Sequence, residues 1–116
     1  MSREADNRFD AIFVGGGVIG LAGAWRAAAR GARVCVLERD KPAAGASGVA
    51  AGMLAPVGEA SWGEEKLLGL NSESLRRWPA FAEQLEGEAE QETGFARCGA
   101  LHVALDRDEA EDLRRR

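Results

Sequence analysis

The sequence predicts an α/β chain: the opening of a doubly wound parallel sheet, then a long helix, then the first strand of a second domain. Three observations predict it. Two short apolar runs, "DAIFV" and "ARVCVLE", flank a stretch rich in Ala and Leu that begins with a cluster of glycines. Between Glu64 and Glu92 the apolar residues recur at spacings of three and four. Further on, "GALHVALD" alternates with period two.

The elements follow in order. Asp10 to Val14 reads as a short buried strand, broken by "GGG". Val18 to Arg30 lacks proline and is rich in good helix formers, so it predicts a helix that stops at Gly31. Ala32 to Glu38 is a second strand, apolar along most of its length, as expected where both sheet faces are covered. Strand, helix and strand in so short a span make a right-handed parallel unit. Residues 39–63 read as mostly irregular, with a short helix near Val49–Leu54. Leu67, Leu68, Leu75, Trp78, Phe81, Ala82, Leu85 and Ala89 then mark one face of a long helix, with a break or kink expected at Pro79 and a stop at Gly94. Gly99 to Asp106 is read as a half-buried strand with Leu101, Val103 and Leu105 inward. "DRDEAEDLRRR" starts a last helix with Asp106 or Asp108 as its cap. No glycine or proline stop follows before Arg116, so a truncated chain is expected. Strands absent from it would leave apolar surface open, with poor solubility or partial disorder as the result.

Composition narrows the function. With 46% hydrophobic and 29% charged residues, the chain has the balance of a globular protein of one domain's length. A net charge of −4 argues against nucleic acid or an acidic membrane surface as partner. No apolar run is long enough to span a bilayer, and the first ten residues lack a secretory signal, so a cytoplasmic setting is expected. Cys35 and Cys98 form no CxxC, and His102 is the single histidine, which argues against a zinc site. Cys35 reads as a small core hydrophobe. Glycine is concentrated early, ten of fifteen before residue 59, and acids late, fourteen of nineteen from residue 59 onward. The first half is thus built for tight turns, the second for a solvated helical surface.

Gly15, Gly17 and Gly20 form G-x-G-x-x-G at the strand-to-helix turn. The first glycine permits the turn, the second lets a pyrophosphate approach the backbone, and the third allows close packing of helix on strand. The helix N-terminus offers free N–H groups and partial positive charge, so no Lys or Arg is required beside the turn. Ala24 keeps the helix face small. Glu38 lies eighteen positions beyond Gly20, where a carboxylate accepts both hydroxyls of a ribose and repels a 2′-phosphate. A Rossmann-like dinucleotide-binding unit is therefore expected, for FAD or NAD rather than NADP.

The run "GASGVAAGML" bears on that choice. Gly45, Ala46, Ser47, Gly48, Ala50, Ala51 and Gly52 remove bulk where a backbone would touch a ligand, and Ser47 leaves one hydroxyl for a phosphate oxygen. This suits a cofactor that runs on past its ADP half. A flexible Gly/Ala linker is the alternative, but Met53 and Leu54 directly afterwards suggest a packed segment.

"DAIFVGGGVIGLAGAWRAAARGARVCVLERD", followed by "GASGVAAGMLAPVGEASWGEE", resembles the N-terminal part of the FAD-dependent D-amino-acid oxidase family. Within it the likeness is greatest to the glycine oxidases of thiamine biosynthesis. "GALHVALDRDEAEDLRR" resembles the sequence after their first long helix, so the likeness covers nearly all of residues 9–116. The resemblance implies a truncated FAD-binding βαβ unit, followed by a long helix and the first strand of a substrate domain. Residues 1–95 would be the first segment of the FAD-binding domain and 96–116 the start of the substrate-binding domain. It implies that Gly15, Gly17, Val18, Ile19 and Gly20 face the pyrophosphate of FAD, and that Glu38 and Arg39 hold the adenosine ribose and its surroundings. Ala46 and Ser47 would continue the phosphate contacts, with Ala51, Gly52 and Met53 approaching the flavin. The implied reaction oxidises glycine, sarcosine or a small D-amino acid to its imine, reducing oxygen to hydrogen peroxide, with hydride passing from the substrate Cα to the flavin. A homo-oligomer is compatible with the resemblance.

No catalytic residue and no metal site is assigned. Arg76 and Arg77 read as a solvated helical face, and Arg97 precedes a strand, so none is a convincing partner for a substrate carboxylate. That partner is expected downstream of Arg116. His102 reads as structural, and Trp25, Trp62 and Trp78 as packing groups. Two other readings remain open: the nucleotide-binding unit of an NAD-dependent dehydrogenase, and a non-catalytic fragment of the oxidase fold.

Overall fold

The computed structural model describes residues 8–115. The chain forms two compact units, Met1–Gly52 and Met53–Arg116.

The first unit is the expected strand–helix–strand. β1 (Ala11–Val14) and β2 (Val34–Leu37) pair in parallel, Ala11 opposite Val34 and Val14 opposite Leu37. Bonds at both ends fix the register. Asp10 N–H donates to Arg33 C=O at 2.8 Å, and Gly15 N–H to Leu37 C=O at 2.8 Å. The Asp10 carboxylate also accepts Arg33 N–H at 2.8 Å. α1 (Val18–Ala28) ends two residues earlier than its composition suggests. Gly31, in the left-handed region at φ +87°, then turns the chain back toward β2, its N–H bonded to Ala28 C=O.

α1 covers one face of the pair. Ala24 is the buried residue of the helix, and Phe13 lies against Gly23, where a Cβ would come within 2.9 Å of the ring. The other face is open: Ile12 is 57% and Val14 84% exposed. The open apolar surface expected of a chain with only two strands is therefore present. A single helix can shield only one side of a two-stranded sheet, and the apolar character of the second side has no partner within residues 8–115.

α2 (Ala46–Val49) is a single turn. It lies earlier than the short helix expected near Val49–Leu54, because Ala50 is already extended at ψ 138°. In the second unit, α3 (Glu65–Ala89) continues through Pro79. The expected break does not occur: proline removes one N–H, and the helix continues for ten residues beyond it, to Ala89. Trp78 and Phe81 stack beside it with ring centroids 5.3 Å apart. The helix stops before Gly94 because Glu90 takes the left-handed conformation, φ 52°, and the Glu86 carboxylate accepts both the N–H and the hydroxyl of Thr93.

Gly99–Asp106 is not a strand. A strand needs a ladder, and among the described residues nothing pairs with it. Leu101 and Leu105 are 88% and 87% exposed, the reverse of the expected inward face. α4 (Arg107–Arg115) begins as its sequence indicates. Of the two candidate caps, Asp106 takes the role: its carboxylate accepts Glu109 N–H at 2.9 Å, while the Glu109 carboxylate accepts Leu105 N–H at 2.6 Å.

Candidate functional site

The parallel register brings the end of β1 beside the end of β2, so the glycine turn at Gly15–Gly17 and the carboxylate of Glu38 lie at the same edge of the sheet. Around them is a cavity of about 440 Å³, contained within the first unit. Its walls are the glycine turn, residues 37–40 and the segment Ala43–Ser47.

Each glycine of the motif has a separate geometric reason. Gly15 sits at φ +107°, a conformation that disfavours a side chain. A Cβ on Gly17 would meet Ser47 Oγ at 3.1 Å. A Cβ on Gly20 would overlap the backbone carbonyl oxygen of Gly15. Gly16, passed over by the motif reading, is buried, and its Cβ would meet the Glu38 carboxylate at 3.1 Å. The signal for it was present in "GGG": a third consecutive glycine marks backbone approached from more than one side.

Glu38 is bound to the turn. Its Oε2 accepts Gly16 N–H at 2.6 Å and its Oε1 accepts Asp40 N–H at 3.1 Å. These donors, Gly16 first, hold the carboxyl below its ordinary value of 4.5. Each oxygen keeps a second lone pair for an external donor.

The small-residue segment is attached as well. Ala43 N–H donates to Gly16 C=O at 2.9 Å, and Ser47 Oγ accepts Val18 N–H at 2.9 Å. Between them Ala44 N–H reaches Lys41 C=O and Gly48 N–H reaches Gly45 C=O. A Cβ on Gly48 would overlap the Ala43 carbonyl. The loop is tied to the glycine turn through Ala43 and Ser47, although Ala44, Gly45, Ala46 and Gly48 are exposed. It contains one uncomfortable residue: Ala43 is left-handed at φ +61°. Ala43→Gly is expected to relieve about 1 kcal/mol, partly offset by about 0.5 kcal/mol of added freedom in the unfolded chain. A small upward shift of the urea midpoint would register the difference.

Of the residues assigned from sequence, Gly15, Gly17, Glu38, Arg39, Ala46 and Ser47 line the cavity. Val18 supplies the first helical N–H to Ser47, and Gly20 packs behind the turn. Ile19 is 88% exposed. Ala51 and Gly52 do not line this cavity, and Met53 belongs to the second unit. Asp40, Ala43 and Ala44 do line it, although nothing in their spacing marks them in advance. His102 is exposed and lies against Gly58, where a Cβ would overlap its Nε2. Among the described residues no group of His, Cys, Asp or Glu is arranged to hold a metal, and no helix is long and apolar enough to cross a membrane.

A parallel strand–helix–strand unit, with a glycine turn at the helix N-terminus and an acid closing the second strand, defines a dinucleotide-binding protein. Comparison with known proteins places it further. Residues 10–116 match the family described as "DAO: FAD dependent oxidoreductase", and the chain belongs to that family. The family's cofactor is FAD, and the NAD-dependent dehydrogenase reading gives way to it. The chain is similar to a glycine oxidase of Geobacillus kaustophilus, 38% identical over 109 residues, which is 94% of this chain and 29% of the relative. It is similar to a "Bifunctional protein ThiO/ThiG" of Trichormus variabilis, 42% identical over 106 residues, 90% of this chain and 16% of the relative. An "Uncharacterized oxidoreductase YurR" of Bacillus subtilis is 30% identical over 109 residues, 90% of this chain and 28% of the relative. The chain thus spans less than a third of the length of each of these relatives. No solved structure matches it significantly.

Proposed function

We propose that this chain is the FAD-binding portion of an amine oxidase of the glycine oxidase type, acting on glycine, sarcosine or a small D-amino acid and serving thiamine thiazole biosynthesis. The observation that carries the reading is 38% identity to a glycine oxidase across 94% of the chain, together with a cavity whose donors and acceptors suit a dinucleotide.

The residues present fit FAD. The turn at Gly15 and Gly17 and the N-terminus of α1 present backbone to a diphosphate without side-chain bulk, which is the need of a bound anion. Gly15, Gly17, Val18 and Ile19 form that surface in this proposal, with Gly20 packed behind it, and Glu38 accepts the ribose hydroxyls with Arg39 beside it. Ala46 and Ser47 continue along the phosphates, and Ala51, Gly52 and Met53 lead toward the flavin. FAD, when bound, accepts the hydride of the amine and hands its electrons to oxygen, which leaves as hydrogen peroxide. The protein's task is to hold the amine in line for that transfer. The groups that do so are proposed to lie in the greater length of the relatives beyond this match. Residues 1–95 then belong to the FAD-binding domain and 96–116 begin the substrate domain. A cytoplasmic, homo-oligomeric protein with small-molecule substrates, and no turnover from residues 1–116 alone, completes the proposal.

The full-length protein tests it. Purified, it should be yellow, with the absorbance of bound flavin, and should release peroxide with glycine or sarcosine. A colourless protein that binds NAD would remove the reading. Bound flavin with no peroxide from any small amine would leave the family and remove the substrate class.

A further inference from the structure

We propose that Ser47 is a positioning residue: it clasps the small-residue segment Ala43–Gly48 to the N-terminus of α1 and so presets the width of the cofactor cavity. The sequence offers Ser47 only as a hydroxyl for a phosphate. Its bond in the structure is to the protein itself. Ser47 Oγ accepts the N–H of Val18, 29 positions earlier, at 2.9 Å. That N–H is the first of the helix, which has no side-chain cap of its own, since Gly17 holds the N-cap position. Ser47 therefore supplies, from a distant loop, the cap that the motif's glycine cannot.

The segment is held at its other end by Ala43 N–H on Gly16 C=O. Two attachments, four residues apart, fix a short loop as a wall; one alone leaves it a hinge. Gly17 acquires a second reason to be glycine, because a Cβ there would come within 3.1 Å of Ser47 Oγ and push the clasp open. Having accepted one bond, the hydroxyl still has its proton to donate. A phosphate oxygen beside it would be bound through a hydroxyl already polarised by the helix terminus. Only this last step rests on the FAD assignment; the clasp does not.

The test uses the full-length protein and its Ser47→Ala and Ser47→Thr variants. Amide exchange across residues 43–49 and at Val18 reads the clasp with flavin removed, and fluorescence titration with FAD reads the cavity. In Ser47→Ala, exchange in this segment is expected to rise by up to about tenfold and FAD affinity to fall by about tenfold, the scale of one lost hydrogen bond. Ser47→Thr, which keeps the hydroxyl, should restore both. Unchanged exchange in Ser47→Ala overturns the proposal whatever the affinity does. Raised exchange with unaltered FAD affinity overturns the claim that the clasp sets the cavity. A wild-type protein that binds no FAD defeats the cofactor assignment, and the exchange data still decide the clasp.

Discussion

Gly20→Ala should destabilise the protein by about 3 kcal/mol, the upper range for forcing atoms into a filled space, and should strip it of flavin. The added methyl has nowhere to go. It would overlap the carbonyl oxygen of Gly15, a backbone atom in a turn whose φ of +107° leaves little room for adjustment. Relief requires α1 to move away from the sheet edge, which pulls Gly17 and Val18 out of line with Ser47 and Glu38. Gly87→Ala, in α3 and not among the residues that line the cavity, is the control: a Cβ there meets nothing within 4 Å, and alanine in a helix should stabilise by up to about 1 kcal/mol with flavin content unchanged. Denaturant unfolding and flavin content, measured on both, check the contrast. If the two variants behave alike, the close approach of helix and turn is wrong.

Replacing Glu38 should weaken FAD binding more than replacing any other side chain of the cavity. Glu38→Ala removes the anchor of Gly16 and the ribose acceptor together, and a loss of about a hundredfold in affinity is expected for hydrogen bonds made by a charged group. Glu38→Gln keeps one acceptor and should fall between. The carboxyl also predicts a pH dependence of definite sign. Its value in the folded protein lies below the ordinary 4.5, first through Gly16 N–H and then through Asp40 N–H. A lowered value means that the bound carboxylate stabilises the turn above 4.5 and that this contribution is lost as pH falls from 4.5 through the lower folded value. Flavin retention in the wild type should therefore be flat at neutral pH and decline below that point. In Glu38→Gln that part of the decline should vanish. An identical acid profile in both proteins would show that another group controls the turn.

How far the sequence could be read depended on the range of the interactions involved. β1, α1 and β2 are legible because glycine spacing, helix propensity and apolar runs all act within a few residues, and they agree. The Asp106 cap is legible for the same reason. Gly99–Asp106 misleads because alternation reports what a segment would bury beside a partner, and the partner is not supplied by residues 8–115. Pro79 misleads in the opposite direction: a local rule against proline yields to the length of the helix around it. Within the cavity, Gly15, Gly17 and Glu38 come from a motif with fixed geometry. Ala43 and Asp40 could not, since their place depends on how residues 39–47 fold back on Gly16, and no spacing encodes that. Ser47 was visible as a hydroxyl among small residues, but its bond to Val18 spans 29 positions and emerges only from the fold.

The bonds that shape the cavity join residues between Asp10 and Gly48, and none of them calls on a later part of the chain. During synthesis, therefore, the grip for the nucleotide can be finished once the first fifty or so residues, about the extent of the first compact unit, have left the ribosome.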